Sequence, residues 1–194
     1  MAAVSELPAS AAWRHLDASE GFEVLFPRSD GDGHRFAGHA TAVEGAVTWS
    51  VRYEIRVDSD WVTREAHVWS RSVAGERELR LEGDGHGAWT IDGRPAPELD
   101  GLLDVDLEAS AFTNAFPVNR LGLGVGEDAE APAVYVRAPN LRVARLEQHY
   151  RRLADDGARM RFDYVSPALD FRAILVYDES GLVLDYPGIA VRLA

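Results

Sequence analysis

Between Trp49 and Asp58 the chain alternates without a break: Trp49, Val51, Tyr53, Ile55 and Val57 interleave with Ser50, Arg52, Glu54, Arg56 and Asp58. Successive side chains of a strand point to opposite faces, so this pattern builds one apolar and one charged face, as in a half-buried antiparallel strand. Asp58 to Asp60 supplies a hairpin turn into Trp61–Trp69, whose weaker alternation fits a strand covered on both sides.

The same grammar continues in both directions. Short extended runs fall at Trp13–Leu16, Phe22–Phe26, Phe36–Val43, Glu78–Leu81, Ala88–Ile91, Val134–Arg137, Met160–Val165, Phe171–Asp178 and Leu182–Leu184. They are punctuated by DASEG, SDGDGH, GDGHG, Asp92-Gly93, ESG and Pro187-Gly188, and a last short strand follows. Phe171–Asp178 is apolar on both faces and reads as central. Leu141–Leu153 is ambiguous, because Leu146, Tyr150 and Leu153 stand at helical spacing ahead of Gly157. VRYEIRVDSDWV and FRAILVYDESGLV echo one another, each running a strand into an acidic turn and out again. Seventeen glycines and nine prolines suit an all-β chain of many turns.

At 194 residues and 46% hydrophobic the chain can bury one substantial core, so one domain spanning residues 1–194 is expected. All 20 basic residues are arginine, and the formal charge is −12. That balance opposes nucleic acid and anionic membrane surfaces, which recruit clustered positive charge. MAAVSELPASAAW carries no basic leader, and no run approaches the roughly 18 apolar residues of a spanning helix, so no integral membrane association is expected. The absence of cysteine removes disulfides and thiolate metal sites and makes a cytoplasmic address the default.

The densest polar chemistry lies in Leu99–Leu123. Asp104 and Asp106 are two apart, so in a strand both carboxylates share one face, roughly 6–7 Å apart at Cα. That spacing suits a carboxylate pair acting on glycosides, and equally an ordinary polar strand face. If buried, the two acids need donors, and Asn114 and Arg120 are the nearest in sequence. Thr113 and Asn114 sit between Phe112 and Phe116, an arrangement that could orient a sugar beneath aromatic cover or close a turn on itself. The six histidines form no HxH or HxxxH pair, GLGVG lacks phosphate-loop spacing, and no GxSxG elbow is present. No cofactor, metal or nucleophile is therefore expected. All five tryptophans lie before residue 90 and suit core packing, or the wall of an apolar cavity with polar groups at its mouth.

Taken in order, LDGLLDVDL, FTNAFPVNRLGL, VYVRAP, LEQHY and FRAILVYDESGLVLDYPGI resemble the glycolipid-binding family once classed as a domain of unknown function, and VRYEIRVDSDWVTREAHV and GAWTIDG extend the likeness over nearly the whole chain. Leu102, Ser110-Ala111 and Asn119-Arg120 depart from that family's cysteine, Thr-Pro and double arginine. The resemblance implies a curved, spirally wound antiparallel β-roll with an internal duplication of two sheet halves, and turns Leu141–Tyr150 from helix to strand. It implies non-catalytic binding of a glycolipid or related small amphiphile in the concavity of the sheet, with a sugar-processing enzyme and an ion-paired structural module as the competing readings. The residues matching the motifs, and so the expected ligand-binding set, are Asp104, Asp106, Thr113, Asn114, Arg120, Gln148, Tyr150, Asp185 and Tyr186.

Overall fold

The computed structural model describes residues 6–17, 19–29 and 31–194. The turns expected at DASEG and SDGDGH contain Ala18 and Asp30, and the lead contains residues 1–5, all outside the described residues.

Eight strands run in sequence from the N-terminal side: β1 (Ala11–His15), β2 (Glu20–Ser29), β3 (Gly33–Glu44), β4 (Val47–Asp58), β5 (Thr63–Ser72), β6 (Gly75–Gly83), β7 (Trp89–Ile91) and β8 (Arg94–Pro95). The chain then enters β9 (Asp104–Leu107), a 3-10 turn (Phe112–Asn114), helix α1 (Ala115–Leu121), β10 (Asp128–Glu130), β11 (Ala133–Val136) and β12 (Val143–Leu146). A second meander follows: β13 (His149–Asp156), β14 (Arg159–Ser166), β15 (Phe171–Tyr177), β16 (Val183–Tyr186) and β17 (Ala190–Arg192). The two meanders fuse because β17 pairs with β1, Trp13 opposite Arg192. One antiparallel sheet of 14 strands results, in the order β10-β13-β14-β15-β16-β17-β1-β2-β3-β4-β5-β6-β7-β8, curved and not closed. This is the all-β roll the resemblance implied.

The alternation in the sequence is the alternation in burial. Trp49, Val51, Tyr53, Ile55 and Val57 all face the core. Between Leu146 and Arg152 the buried residues are Leu146, Gln148, Tyr150 and Arg152, a period of two. Two of the three apolar residues that suggested a helix sit four apart, which fits both periods, and the buried polar Gln148 and Arg152 hide the strand pattern from a hydrophobicity reading.

The segment between the meanders fills the roll. β9 pairs in parallel with β11, and β11 antiparallel with β12, as a separate three-stranded sheet. Every residue of β9 and β11 is buried. Phe112 and Phe116 are fully buried, with Phe112 packed 4.6 Å from Phe36 and 5.0 Å from Phe116 between ring centroids. The two aromatics read as cover for a sugar are therefore core. The concave face, expected to take an apolar chain, is largely occupied by the protein's own Leu99–Val118.

Tyr53 shows how the packing is enforced. Its ring lies across Gly38, where an added Cβ would meet Cζ at 2.1 Å, and this lets its hydroxyl donate to Glu23 Oε1 at 2.5 Å. Ser110 Oγ and the Ala111 N–H (2.9 Å) donate to the same carboxyl, tying β2 to the internal segment. Glu23 is fully buried, and burial pushes its pKa up to about 7 against those three donors.

Candidate functional site: a cavity at one end of the roll

Asp104 and Asp106 share one strand but have separate environments. Asp104 is 1% exposed and receives both arms of the Arg120 guanidinium, Nε to Oδ1 at 2.9 Å and Nη2 to Oδ2 at 2.6 Å. A bidentate pair of this kind fixes α1 against β9. Burial outweighs the arginine and holds the Asp104 carboxyl above its ordinary range.

Asp106 is the hub of a hydrogen-bonded network. Thr113 Oγ1 donates to Oδ1 at 3.0 Å and Gln148 Nε2 to Oδ2 at 2.5 Å. Tyr150 donates to Asn114 Oδ1 at 2.8 Å, and Tyr164 carries the network from Gln148 to Tyr186. Burial raises the Asp106 pKa to about 6, with the Thr113 and Gln148 hydrogen bonds opposing the shift.

Beside Asp106 lies a cavity of about 280 Å³. It opens where β1, β3 and β16 end and β4 and β15 begin, and its floor is the turn Asp106–Ala111. Trp49, Tyr135, Tyr164, Phe171 and Tyr186 supply aromatic walls, with aliphatic Leu16, Leu169 and Ile189 among them. Two residues that border it, Trp49 and His15, are only 5% and 8% exposed, and the Trp49 Nε1 and His15 Nδ1 atoms are buried without a hydrogen-bond partner. Glu108, also in the lining, is held by Tyr135 Oη at 3.0 Å and the Ala138 N–H at 2.8 Å.

A larger hollow of about 440 Å³ lies on the outer face of β2–β5, between side chains such as Arg28, Glu54, Arg56 and Glu65. None of the unpartnered buried atoms found among the described residues belongs to its lining.

The expected residues thus divide. Asp106 and Tyr186 line the cavity, while Thr113, Asn114, Gln148 and Tyr150 stand behind Asp106 in its network. Asp104 and Arg120 form the separate ion pair and do not line the cavity. Asp185 is exposed, because Tyr186 is buried and neighbouring strand residues point to opposite faces. His15, Trp49, Glu108, Tyr135, Tyr164 and Phe171 were not in the expected set, since they come from five separated parts of the chain. Trp49 had a signal, a tryptophan at the very start of the alternating strand. Among the described residues no group of three or more His, Asp or Glu could hold a metal.

The fold is an open antiparallel roll filled by its own internal segment, with a small polar-floored cavity at one end. Residues 10–192 match the family described as "Putative glycolipid-binding", and the chain belongs to that family. The crystal structure of a DUF1089 family protein from Pseudomonas aeruginosa is similar, with 38% identity over 93% of this chain and 95% of that one and a TM-score of 0.76. A beta-barrel-like protein of domain of unknown function DUF1849 from Brucella abortus shares the fold at 11% identity, covering 98% and 96% of the two chains with a TM-score of 0.54. No curated protein matches. Family membership supports a binding role and a lipid-like ligand. No helix among the described residues is long and apolar enough to cross a membrane.

Proposed function

We propose that the protein binds an amphiphile of the glycolipid type without transforming it, the polar head entering the end cavity and the apolar part remaining outside. The observation that carries this reading is the hollow of about 280 Å³ itself, with the Asp106–Ala111 turn as its floor and the rings of Trp49, Tyr135, Tyr164, Phe171 and Tyr186 around it. Small-molecule sites run from about 300 Å³ upward, so this volume suits a head group and leaves little room for an acyl chain. The rim supports the placement of the tail. Leu169 (41% exposed) and Ile189 (37%) line the mouth, and Val47 (44%) and Val73 (90%) stand at the β3–β4 and β5–β6 turns on the same edge of the sheet.

The sugar-processing alternative required Asp104 and Asp106 to act on one substrate. Asp104 is bound on both oxygens by Arg120 away from the cavity, which leaves that pair without a shared site. Native mass spectrometry of freshly purified protein should find a co-purified amphiphile. Alkyl glycosides should raise the melting temperature in proportion to the logarithm of their concentration above Kd. An empty protein whose melting temperature no amphiphile moves would overturn the proposal.

A further inference from the structure

On the outer face of the sheet, register sets Arg28 opposite Arg35 and Arg35 opposite Arg56, so three arginines stand side by side across β2, β3 and β4. Like charges directly opposite one another on a sheet are destabilising, and here two such pairs occur in succession. Acids to separate them are plentiful in the chain, with 32 Asp and Glu to 20 arginines. The carboxylates on this face nevertheless go elsewhere. Glu54 lies 4.0 Å from Arg52 and Glu65 lies 4.0 Å from Arg80, although Glu65 stands directly opposite Arg56. Glu78 is matched by His67 at 2.6 Å. Among the described residues neither Arg28 nor Arg56 forms an ion pair with a carboxylate.

The three arginines border the hollow of about 440 Å³, which lies on the opposite face of the sheet from the end cavity. Ala37 creates it: a methyl group stands between Phe26 on β2 and Glu54 on β4, leaving the space above it open, and the Phe26 ring, 54% exposed, forms one wall. Three guanidiniums against Glu54 and Glu65 leave this hollow with a positive excess in a chain of formal charge −12. A cation is repelled there, and a neutral ligand supplies no counter-charge. A carboxylate is satisfied by the fork of one arginine, whereas a phosphate monoester brings nearly two charges and three acceptor oxygens, enough for guanidiniums arriving from strands about 5 Å apart.

We infer that this hollow is an anion site for a phosphate ester, the phosphoryl group held by Arg28, Arg35 and Arg56 and the apolar body laid against Phe26. The reading is independent of the end cavity. A soluble ester and the phosphate of a lipid head group offer the same chemistry, and Phe22 (55% exposed) and Val24 (40%) continue the apolar stripe of β2 beside Phe26.

The test titrates phenyl phosphate, inorganic phosphate and benzoate into the full chain by calorimetry at pH 7.5 and low salt, and sediments the protein with phosphatidylcholine vesicles carrying phosphatidic acid. Phenyl phosphate should bind at one site, at least about tenfold more tightly than benzoate, and more weakly as salt is added. Arg28→Gln and Arg56→Gln, both outside the core, should each weaken it about tenfold, with thermal melts confirming the fold. Glu65→Gln removes the acid opposite Arg56 and should tighten binding. Phe26→Ser should bring phenyl phosphate down to the affinity of inorganic phosphate. Binding of the soluble ester assigns the site to a soluble ligand; arginine-dependent binding of the vesicles alone keeps the site and assigns it to a lipid phosphate. Benzoate binding as tightly as phenyl phosphate, or no arginine-dependent binding of ester or vesicle, overturns the inference and leaves the amphiphile reading of the end cavity standing.

Discussion

Asp104 and Asp106 lie two residues apart on one buried strand, yet they do different things. Asp104 is matched by a guanidinium and acts as a clamp between β9 and α1. Asp106 is matched by neutral donors, Thr113 and Gln148, and borders the open end cavity. One end of the polar segment is closed against itself, and the other faces a hollow. Closed polar sites hold a fold, whereas open ones are where ligands are recognised.

The contrast breaks most readily at its closed end. Arg120→Ala should cost about 3–5 kcal/mol in urea unfolding, because it strands a buried carboxylate. A loss below about 1 kcal/mol would mean that Asp104 is solvated and the contrast false. Next is the response to pH. Glu23 and Asp106 have pKa values raised to about 7 and about 6, so the folded state holds protons that the unfolded state has released. Stability should therefore rise as pH falls from 8 toward 5, by on the order of 2 kcal/mol, opposite to the loss that salt-bridged carboxylates give. Glu23→Gln should flatten much of this slope, and a slope of the other sign in chemical denaturation at several pH values would refute it. Asp106→Asn should cost only about 1 kcal/mol, one altered hydrogen-bond set, while weakening the binding of alkyl glycosides severalfold. Asp185→Ala should stay within about 0.5 kcal/mol of the parent and bind normally, as an exposed residue on the far face.

The echo between the two halves has a physical content. Asp58 Oδ1 accepts from the N–H groups of Asp60 and Val62, its own N–H donates to Val62 O, and Trp61 N–H donates to Asp58 O, all at 3.0 Å. Asp178 does the same with Ser180, Leu182 and Gly181, at 2.6–3.0 Å including the Ser180 hydroxyl. Trp61 and Gly181 occupy the positive-φ position, at 63° and 77°. Asp84, with His86, Ala88 and Gly87, builds a third such turn. The two similar sequences do fold alike, but the third turn shows that aspartate turn chemistry by itself suffices to produce that likeness.

Much of the roll could be read from the chain, because period-two alternation and Asp/Gly turns are local physics. Trp49–Val57 points inward as its pattern requires, and the acidic turns fall where the sequence marks them. The family motifs corrected Leu141–Tyr150, which alternation could not, since Gln148 and Arg152 are polar residues on a buried face. The site was legible only in part: Asp106, its network and Tyr186 lay within recognisable motifs, but His15 and Tyr164 did not.

The sequence alone determined where strands run, which face of each is apolar and where the chain turns, since these depend on neighbours within a few residues. Only the tertiary structure decided that Leu99–Val118 fills the roll, that Arg120 belongs to Asp104, and that Trp49 and His15 border one cavity. Those outcomes depend on which distant groups burial forces together, and the cost of leaving a buried charge or donor unpaired is set by partners that no local stretch of sequence specifies.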